Sequence, residues 1–328
     1  MTAVEPAVEP PVGRRRRTGL GDLARTGAAV WIVVLVAVAA LTVVDGAAFW
    51  SPGNVSNVLT ATVVLGLVAL GQHVVVLSGG IDLAVGSTAT LSALLTAILI
   101  DGYPIRTVPV VLAMLVLGGL IGVLHGVLVA RVGLPPFIVT LATLYLVQGA
   151  AFMISTVPAG RVTSALSTVA LQRLGPVPYS FVVLLAAIAV VAFVLYRTAF
   201  GRRLLAVGGD EAAARSTGVP VARVLVTAYV IAGVLAALAG VLLAARATVG
   251  SPTAGQGLEL SAITVVVLGG TSLLGGRGAL VGTLGGVLLL SLVSSSVTLL
   301  QLPATLTDLI RGVVILAAAA VFVSRTRR

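Results

Sequence analysis

The sequence contains no cysteine, and all 20 of its basic residues are arginine. Without cysteine the chain has no disulfide, thiolate metal site or cysteine nucleophile. Without lysine it has no Gly-Lys-Ser/Thr ending, so it does not bind ATP through the common phosphate-binding loop. Only two histidines are present. We therefore expect this chain to hold neither a metal nor a nucleotide cofactor.

Charged residues are also scarce, at 9% of the chain against roughly 25% in a soluble domain. Aromatic residues are 4%, which argues against a porin-like barrel, because the strands of such barrels carry aromatic girdles. What remains is apolar: hydrophobic residues are 59%, glycine contributes 38 residues and the mean hydropathy is +1.18. Small residues let transmembrane helices approach closely. The composition therefore predicts an all-α integral membrane protein.

Apolar runs near the length that crosses a bilayer, about 20 residues, fill most of the chain. We predict about ten spans, within a range of eight to eleven, in a single membrane domain over residues 28–324. The predicted spans are residues 28–44, 57–77, 83–100, 108–130, 137–156, 178–196, 224–246, 259–274, 279–299 and 304–323. Residues 1–27 are predicted to be a disordered cytoplasmic tail, and residues 325–328 a short cytoplasmic tail.

The arginines predict the orientation. With both termini in the cytoplasm, 15 arginines fall on the inner side of the predicted spans, 4 fall outside and Arg311 lies within a span. Short cytoplasmic loops carry an excess of basic residues, so this arrangement is the favoured one. Because the charges lie at the ends of spans, we predict a lipid bilayer and no nucleic acid as partner.

A charged segment lies in the predicted cytoplasmic loop, residues 197–223. Asp210 can cap a helix by accepting amide hydrogens of its first turn, with Glu211 in the first turn and Arg215 in the last. Gly218 offers a left-handed stop. The segment therefore predicts a helix over 210–217, roughly 12 Å long. Such a short helix is marginal alone, so it is either an ordinary connection packed on its own chain or a docking element for a partner.

A glycine-rich segment, residues 77–87, interrupts the apolar sequence and contains Asp82. A carboxylate at membrane depth costs on the order of 3 kcal/mol, so Asp82 is expected to face a polar cavity, a partner or the interface. The alternative is a plain turn at the cytoplasmic surface, with Asp82 capping the next span. A second glycine-rich segment at 269–276 has the same Gly-Gly-x-x-Leu-x-x-Gly spacing as residues 79–86, which indicates either an internal repeat or chance.

No nucleophile with a base and an orienting acid stands out in the sequence, so we predict a transporter subunit and no enzyme. An ion-driven carrier needs buried ionisable residues, and Asp82 with the pair Asp308 and Arg311 are the candidates. Asp308 and Arg311 are three residues apart and can pair with each other, which favours an anchor over a proton relay. The sequence therefore predicts that energy is supplied by another chain.

Four ordered motifs resemble those of the membrane permeases of sugar ATP-binding cassette (ABC) importers of the ribose, xylose and galactose type. Residues 79–87, Gly-Gly-Ile-Asp-Leu-Ala-Val-Gly-Ser, are similar to the family signature, as are Phe-Ile-Val-Thr-Leu-Ala-Thr at 137–143 and the segment 208–219. The fourth match combines residues 259–263 and 269–278. The chain departs from the pattern at Ala84, where the family usually has Ser, and at Asp210, where it has Asn. The likeness covers residues 50–323.

The resemblance implies a type II-like permease of the bacterial inner membrane that moves a monosaccharide inward. It implies as partners a second permease subunit, expected to be identical, a cytoplasmic subunit that binds ATP and Mg, and an extracytoplasmic sugar-binding protein. Nucleosides, sugar alcohols and branched-chain amino acids are the alternative substrates. An ion-coupled carrier and a membrane scaffold that does not transport are the alternatives of another class.

Two sets of functional residues follow. The residues that the resemblance assigns to coupling with the ATPase are Gly208, Gly209, Asp210, Glu211, Ala212, Ala213, Arg215 and Gly218. A neutral, hydrated sugar needs weak hydrogen-bonding groups along its path, and the predicted path residues are Gln72, Gly79, Gly80, Asp82, Gly86, Thr140, Gln148, Gly269 and Gly270.

Overall fold

The computed structural model describes residues 20–299, together with 301 and 312. Its helices are α1 Leu20–Phe49, α2 Pro52–Leu77, α3 Val85–Ile100, α4 Thr107–Val127, α5 Pro136–Ile154, α6 Ser164–Leu171, α7 Tyr179–Arg197, α8 Ala199–Gly209, α9 Glu211–Ser216, α10 Val221–Ala247, α11 Leu258–Leu268 and α12 Leu280–Leu299. A 3₁₀ turn, Pro104–Arg106, precedes α4, and a π-helical turn, Leu128–Val132, follows it. A two-stranded hairpin, β1 Arg173–Leu174 and β2 Val177–Pro178, lies between α6 and α7.

The predicted all-α membrane fold is confirmed. Seven helices of the described residues are long and apolar enough to cross a membrane, and α3 and α11 are two shorter apolar helices. Together these nine helices lie at nine of the ten predicted span positions. The tenth predicted span, with Asp308 and Arg311, lies outside the described residues apart from residue 312, as do the carboxyl-terminal tail and most of the amino-terminal one.

The two helix boundaries furthest from the prediction are the start of α1 and the end of α11. Helix α1 begins at Leu20, inside the predicted tail, because a helix continues past the apolar part that hydropathy detects; that part begins at Val30. Helix α11 ends at Leu268, although the eighth predicted span extends to residue 274. Gly269 and the left-handed Gly270 (φ +83°) end the helix there. The division into a tail and one membrane domain stays a prediction.

Small residues place α10 at the centre of the bundle, as the glycine content predicts. Helix α10 packs on α4, α2 and α3. A methyl group at Gly118 or Gly122 of α4 would overlap the backbone of Gly233 or Tyr229 of α10. Backbones that approach this closely gain contact at every turn. In the most apolar stretch of each helix, 72% of the residues are buried in α2 and in α12 and 67% in α10, against 22% in α4, α5 and α7.

One arginine from each predicted group, Arg215 and Arg161, shows that the two groups point to opposite ends of the described bundle. The turns after α2 and α11 meet at one end, where the Gly276 amide donates to the Leu77 carbonyl (2.9 Å). Arg215 in α9 is at this end, because Gly208, just before α9, lies against Leu77 and Gly276. Arg161 is at the other end, where its side chain is 3.9 Å from the Asp101 carboxylate. The assignment of the α9 end to the cytoplasm stays a prediction from the arginine count.

Candidate functional site

Helix α9 has the capped structure that the sequence predicts. The Asp210 carboxylate accepts a hydrogen bond from the Ala213 amide (2.9 Å). Arg215 donates to Glu211 over 2.7 Å, and these two side chains are 64% and 53% exposed. An exposed pair of this kind stabilises a helix by only about 0.3–0.5 kcal/mol. The charges are therefore available to a partner at little cost to the fold.

The end of α9 is equally defined. Gly218 has φ +80°, its amide donates to the Arg215 carbonyl and the Val219 amide donates to the Ala214 carbonyl, both at 3.1 Å. These two bonds form a Schellman motif. Ala214 is buried, while Ala212, Ala213 and the two charged residues are exposed. Helix α9 thus contacts the bundle through Ala214 and exposes its other faces.

Helix α8, which is absent from the sequence-based predictions, leads directly into α9. Its inward face is Gly201, Leu204 and Val207, and Arg202 and Arg203 are exposed. Gly208 and Gly209, expected in the loop, are its last two residues. The sequence does carry an apolar residue at every third position here, but the two arginines and two glycines mask the pattern.

Four glycines bring three distant segments into backbone contact: Gly79, Gly208, Gly275 and Gly276, which we call the glycine junction. A methyl group at Gly208 would overlap the carbonyl oxygen of Leu77. One at Gly275 would lie 2.7 Å from both the Gly79 nitrogen and the Gly208 oxygen. Side chains are excluded here because the backbones touch. The segment before α9 therefore contacts both the α2–α3 turn and the α11–α12 turn.

The α2–α3 and α11–α12 turns begin in the same way. The amides of Gly79 and Gly80 donate to the carbonyls of Val76 and Val75, and the amides of Gly270 and Thr271 donate to those of Val267 and Val266. Both are Schellman motifs. The structural equivalence pairs Gly79 with Gly270, one residue away from the pairing that the sequence spacing indicates. The turns are alike in conformation, but the predicted register of a repeat is shifted by one.

Asp82 lies in the interior, in contact with a backbone amide, His125 and Gln72. It is 2% exposed; one carboxylate oxygen accepts from the Ala84 amide (2.8 Å) and the other is 3.4 Å from Nδ1 of His125. With its amide oriented to satisfy both atoms, Gln72 donates to the Asp82 carbonyl (2.9 Å) and accepts from the Asp82 amide (3.3 Å). Tyr229 packs edge-on against His125. These contacts fix the α2–α3 turn behind Gly79 and Gly80.

Of the other predicted path residues, Gln148 and Gly86 contact the chain between α10 and α11, whereas Thr140 and Gly269 contact other segments. Thr140 donates to the Ile81 and Pro136 carbonyls (3.2 and 3.0 Å), and Gln148 donates to the Pro252 carbonyl (2.8 Å). Gly86 lies against Gly255 and the Glu259 carboxylate. Gly269 lies against the backbone of Gly282 and Thr283. Their role in a path stays a prediction.

Non-helical backbone enters the bundle between α10 and α11. Gly250 packs against Leu94, and the Gly255 amide donates to the Thr90 hydroxyl (2.9 Å) beside Gly86. The chain thus descends along α3 from residue 94 to residue 86, roughly 12 Å at the rise of an α-helix. Unwound backbone at membrane depth occurs where it lines a cavity or is buried in protein.

A cavity of about 780 Å³ adjoins this unwound segment and lies toward the end opposite α9. Its walls are α2, α10, α11 and α12, together with Gln256 and Gly257 before α11. The uncharged polar side chains that line it are Asn57, Gln256, Ser261, Thr264, Ser291, Ser294, Ser295 and Thr298. None of the predicted path residues lines it.

One wall of this cavity has a local signal in the sequence, although none of its residues is among those predicted. Ser291, Ser294, Ser295 and Thr298 follow the spacing i, i+3, i+4, i+7 within an apolar helix, which places four hydroxyls on one face. A polar stripe of this kind in a transmembrane helix faces protein or water in preference to lipid.

Comparison with known proteins identifies the family. Residues 54–319 match the model of the family described as "Branched-chain amino acid transport system / permease component". The chain is 36% identical over 304 residues to the ribose import permease protein of Bacillus subtilis, covering 91% of this chain and 92% of that protein. It is 36% identical to the L-arabinose ABC transporter permease protein of Azospirillum brasilense (93% and 89% covered) and 36% identical to the fructose import permease protein of Rhizobium meliloti (90% and 84% covered). No solved structure matches significantly.

The chain belongs to this family of ABC importer permeases. It is a multi-pass protein of the bacterial inner membrane and a transporter component, with ATP hydrolysis carried out by a partner subunit.

Proposed function

We propose that this permease subunit moves a monosaccharide into the cytoplasm, driven by a cytoplasmic ATPase that docks on α9. The substrate class is supported by the ribose, L-arabinose and fructose permeases to which the chain is similar. A sugar-binding protein delivers the substrate from outside, and a second copy of the chain completes the pore. ATP and Mg bind to the ATPase.

The observation that carries the proposal is the geometry of α9. The helix is capped at both ends by its own residues, exposes Glu211 and Arg215, and follows α8 without a flexible linker. Gly208 at the end of α8 touches the backbone of two turns between membrane helices. A displacement of α9 by a docked ATPase is therefore passed to α2, α3, α11 and α12 through stiff backbone contacts.

Reconstitution tests the proposal. The permease in liposomes with its ATPase and the sugar-binding protein is expected to accumulate labelled monosaccharide only when all three proteins and internal ATP are present. The control omits the ATPase. Accumulation without it, or accumulation of leucine in place of a sugar, would overturn the proposed function.

Glu211→Arg tests the docking site. Reversal places two cations one turn apart on an exposed surface, which changes the free energy of unfolding by a few tenths of a kcal/mol but alters the charge that a partner meets. We expect an unchanged thermal unfolding temperature and loss of ATPase from the purified complex. Glu211→Gln is the milder control, and normal coupled uptake by Glu211→Arg would remove α9 from the interface.

A further inference from the structure

We propose that the 780 Å³ cavity is a binding site for a neutral, hydroxyl-rich molecule of monosaccharide size. Its identification with the transported sugar rests on the proposed function. The volume lies within the range of small-molecule sites, about 300–1,000 Å³.

The lining chemistry disfavours a zwitterionic amino acid. Among the described residues that line the cavity, eight are uncharged and polar, and Arg246 is the single charged one. A zwitterionic amino acid needs an acid for its ammonium group as well as a cation for its carboxylate, because an unpaired buried charge is costly. The nearby Glu259 is not in the wall; its carboxylate accepts from the Gly257 amide (3.2 Å) and packs against Gly86.

Ser291 points to a ligand independently of the cavity itself. It is 2% exposed and lines the cavity, yet its hydroxyl has no hydrogen-bond partner among the described residues. A buried hydroxyl without a partner costs about 1–3 kcal/mol. A ligand hydroxyl that reaches Ser291 would remove this cost.

The facing wall offers a second set of groups. Ser261 and Thr264 are three residues apart on α11 and line the cavity with Gln256. The Ser261 hydroxyl donates to the Gly257 carbonyl (2.9 Å) and keeps its lone pairs for an incoming donor. Leu65 and Leu290 supply apolar surface between the polar groups. Hydroxyls on two walls with apolar surface between them suit the rim and the C–H face of a sugar ring.

Helix α11 connects the cavity to the end of the bundle that carries α9 and the glycine junction. Helix α11 starts in the cavity wall and ends at the turn that holds Gly275 and Gly276, after 11 residues, roughly 16 Å. A movement of the glycine junction therefore moves one wall of the cavity. In this arrangement the ATPase loosens the bound sugar by displacing α11.

The absence of cysteine gives a direct test. Single cysteines at Ser261 and, as a matched control, at Ser296 are introduced into the full-length permease in nanodiscs. Both positions are partly buried, but Ser296 is outside the cavity wall and donates to the Leu292 carbonyl (2.6 Å). Modification by a small thiol reagent is followed with ribose, with L-arabinose, with leucine and without additions.

We expect a sugar at ten times its Kd to slow the modification of Ser261→Cys about tenfold, since only sites without bound sugar react. Leucine should not change the rate. Ser296→Cys is expected to react at one rate throughout. No protection by either sugar, protection by leucine, or equal protection of the control would overturn the site.

Wild-type uptake in liposomes, measured in parallel, separates the two proposals. Sugar uptake without protection refutes this site and leaves the proposed function standing. Leucine uptake with leucine protection refutes the neutral-ligand site and the proposed function together.

Discussion

The end of the bundle that carries α9 makes its decisive contacts through backbone, whereas the cavity toward the other end is walled by side chains. At the glycine junction a single methyl group would overlap a neighbouring carbonyl. In the cavity, hydroxyls and amides from α2, α11, α12 and the segment before α11 stand apart around open space. Close backbone contact transmits displacement from one segment to another, but it leaves no room for a larger side chain. In a wall of separate hydroxyls, each side chain can be replaced with a small effect. Substitutions at four positions test this contrast, from the largest expected effect to the smallest.

Asp82→Ala should give the largest loss of stability. It removes the acceptor of the Ala84 amide and the carboxylate that lies 3.4 Å from His125, and a buried amide left unpaired costs about 1–3 kcal/mol. We expect a clear fall in the thermal unfolding temperature of the detergent-solubilised protein. Asp82→Asn keeps an oxygen for the Ala84 amide and should lose less. Equal stability of all three proteins would contradict the anchoring of the α2–α3 turn.

Gly208→Ala breaks the glycine junction itself. The added methyl overlaps the Leu77 carbonyl, and overpacking costs typically about 1–3 kcal/mol. We expect lower thermal stability and loss of ATP-dependent uptake. At Gly209 a methyl group meets nothing within 4 Å, so Gly209→Ala should unfold at or above the temperature of the original chain. Similar unfolding temperatures for the two variants would mean that the junction is not tight.

Asp210→Ala removes the cap of α9, at a cost of about 1 kcal/mol. The first turn should fray, and uptake per ATP hydrolysed should fall, while the membrane helices keep their unfolding temperature. Asp210→Asn retains a capping oxygen, so its coupling ratio should match that of the original chain. If the alanine and asparagine variants couple equally well, the cap has no part in docking.

Ser291→Ala should have the smallest effect. One hydrogen bond contributes about 0.5–1.5 kcal/mol, so the KM for sugar uptake by the complete importer should rise about 2–10-fold with little change in kcat. Ser296→Ala is the matched control on α12 and should leave KM unchanged. A fall in kcat at constant KM for Ser291→Ala would place the residue in the conformational change and not in binding.

The sequence predicted well those elements that depend on residues close together in the chain. The limits of α9 follow from Asp210 and Gly218, because capping acts over three or four residues of chain. Nine predicted span positions carry apolar helices of the described residues, because the bilayer demands continuous apolar sequence. The order of four motifs was enough to recognise the family that the comparisons then showed.

The sequence analysis did not predict the elements that depend on contacts between distant parts of the chain or that lie outside the apolar spans. The unwound segment between α10 and α11 looks like an ordinary polar loop in the sequence, and its depth depends on Thr90, which binds the Gly255 amide from a distant helix. The amphipathic helix α8 and the short helix α6 lie outside the apolar spans, so hydropathy does not detect them. The cavity needs four helices at once, and the hydroxyl stripe on α12 gave its only local signal.

The sequence by itself determined the membrane class, the positions of most helices, the two ends of α9 and the family, because each depends on composition or on neighbours within one or two turns. The tertiary structure decided which glycines meet: nothing in the chain around Gly79, Gly208 or Gly276 specifies its partner. It also decided that the open, hydroxyl-lined space lies between α2, α10, α11 and α12, away from the predicted path residues. Backbone proximity and cavities are properties of packed helices in three dimensions, and no stretch of sequence contains them alone.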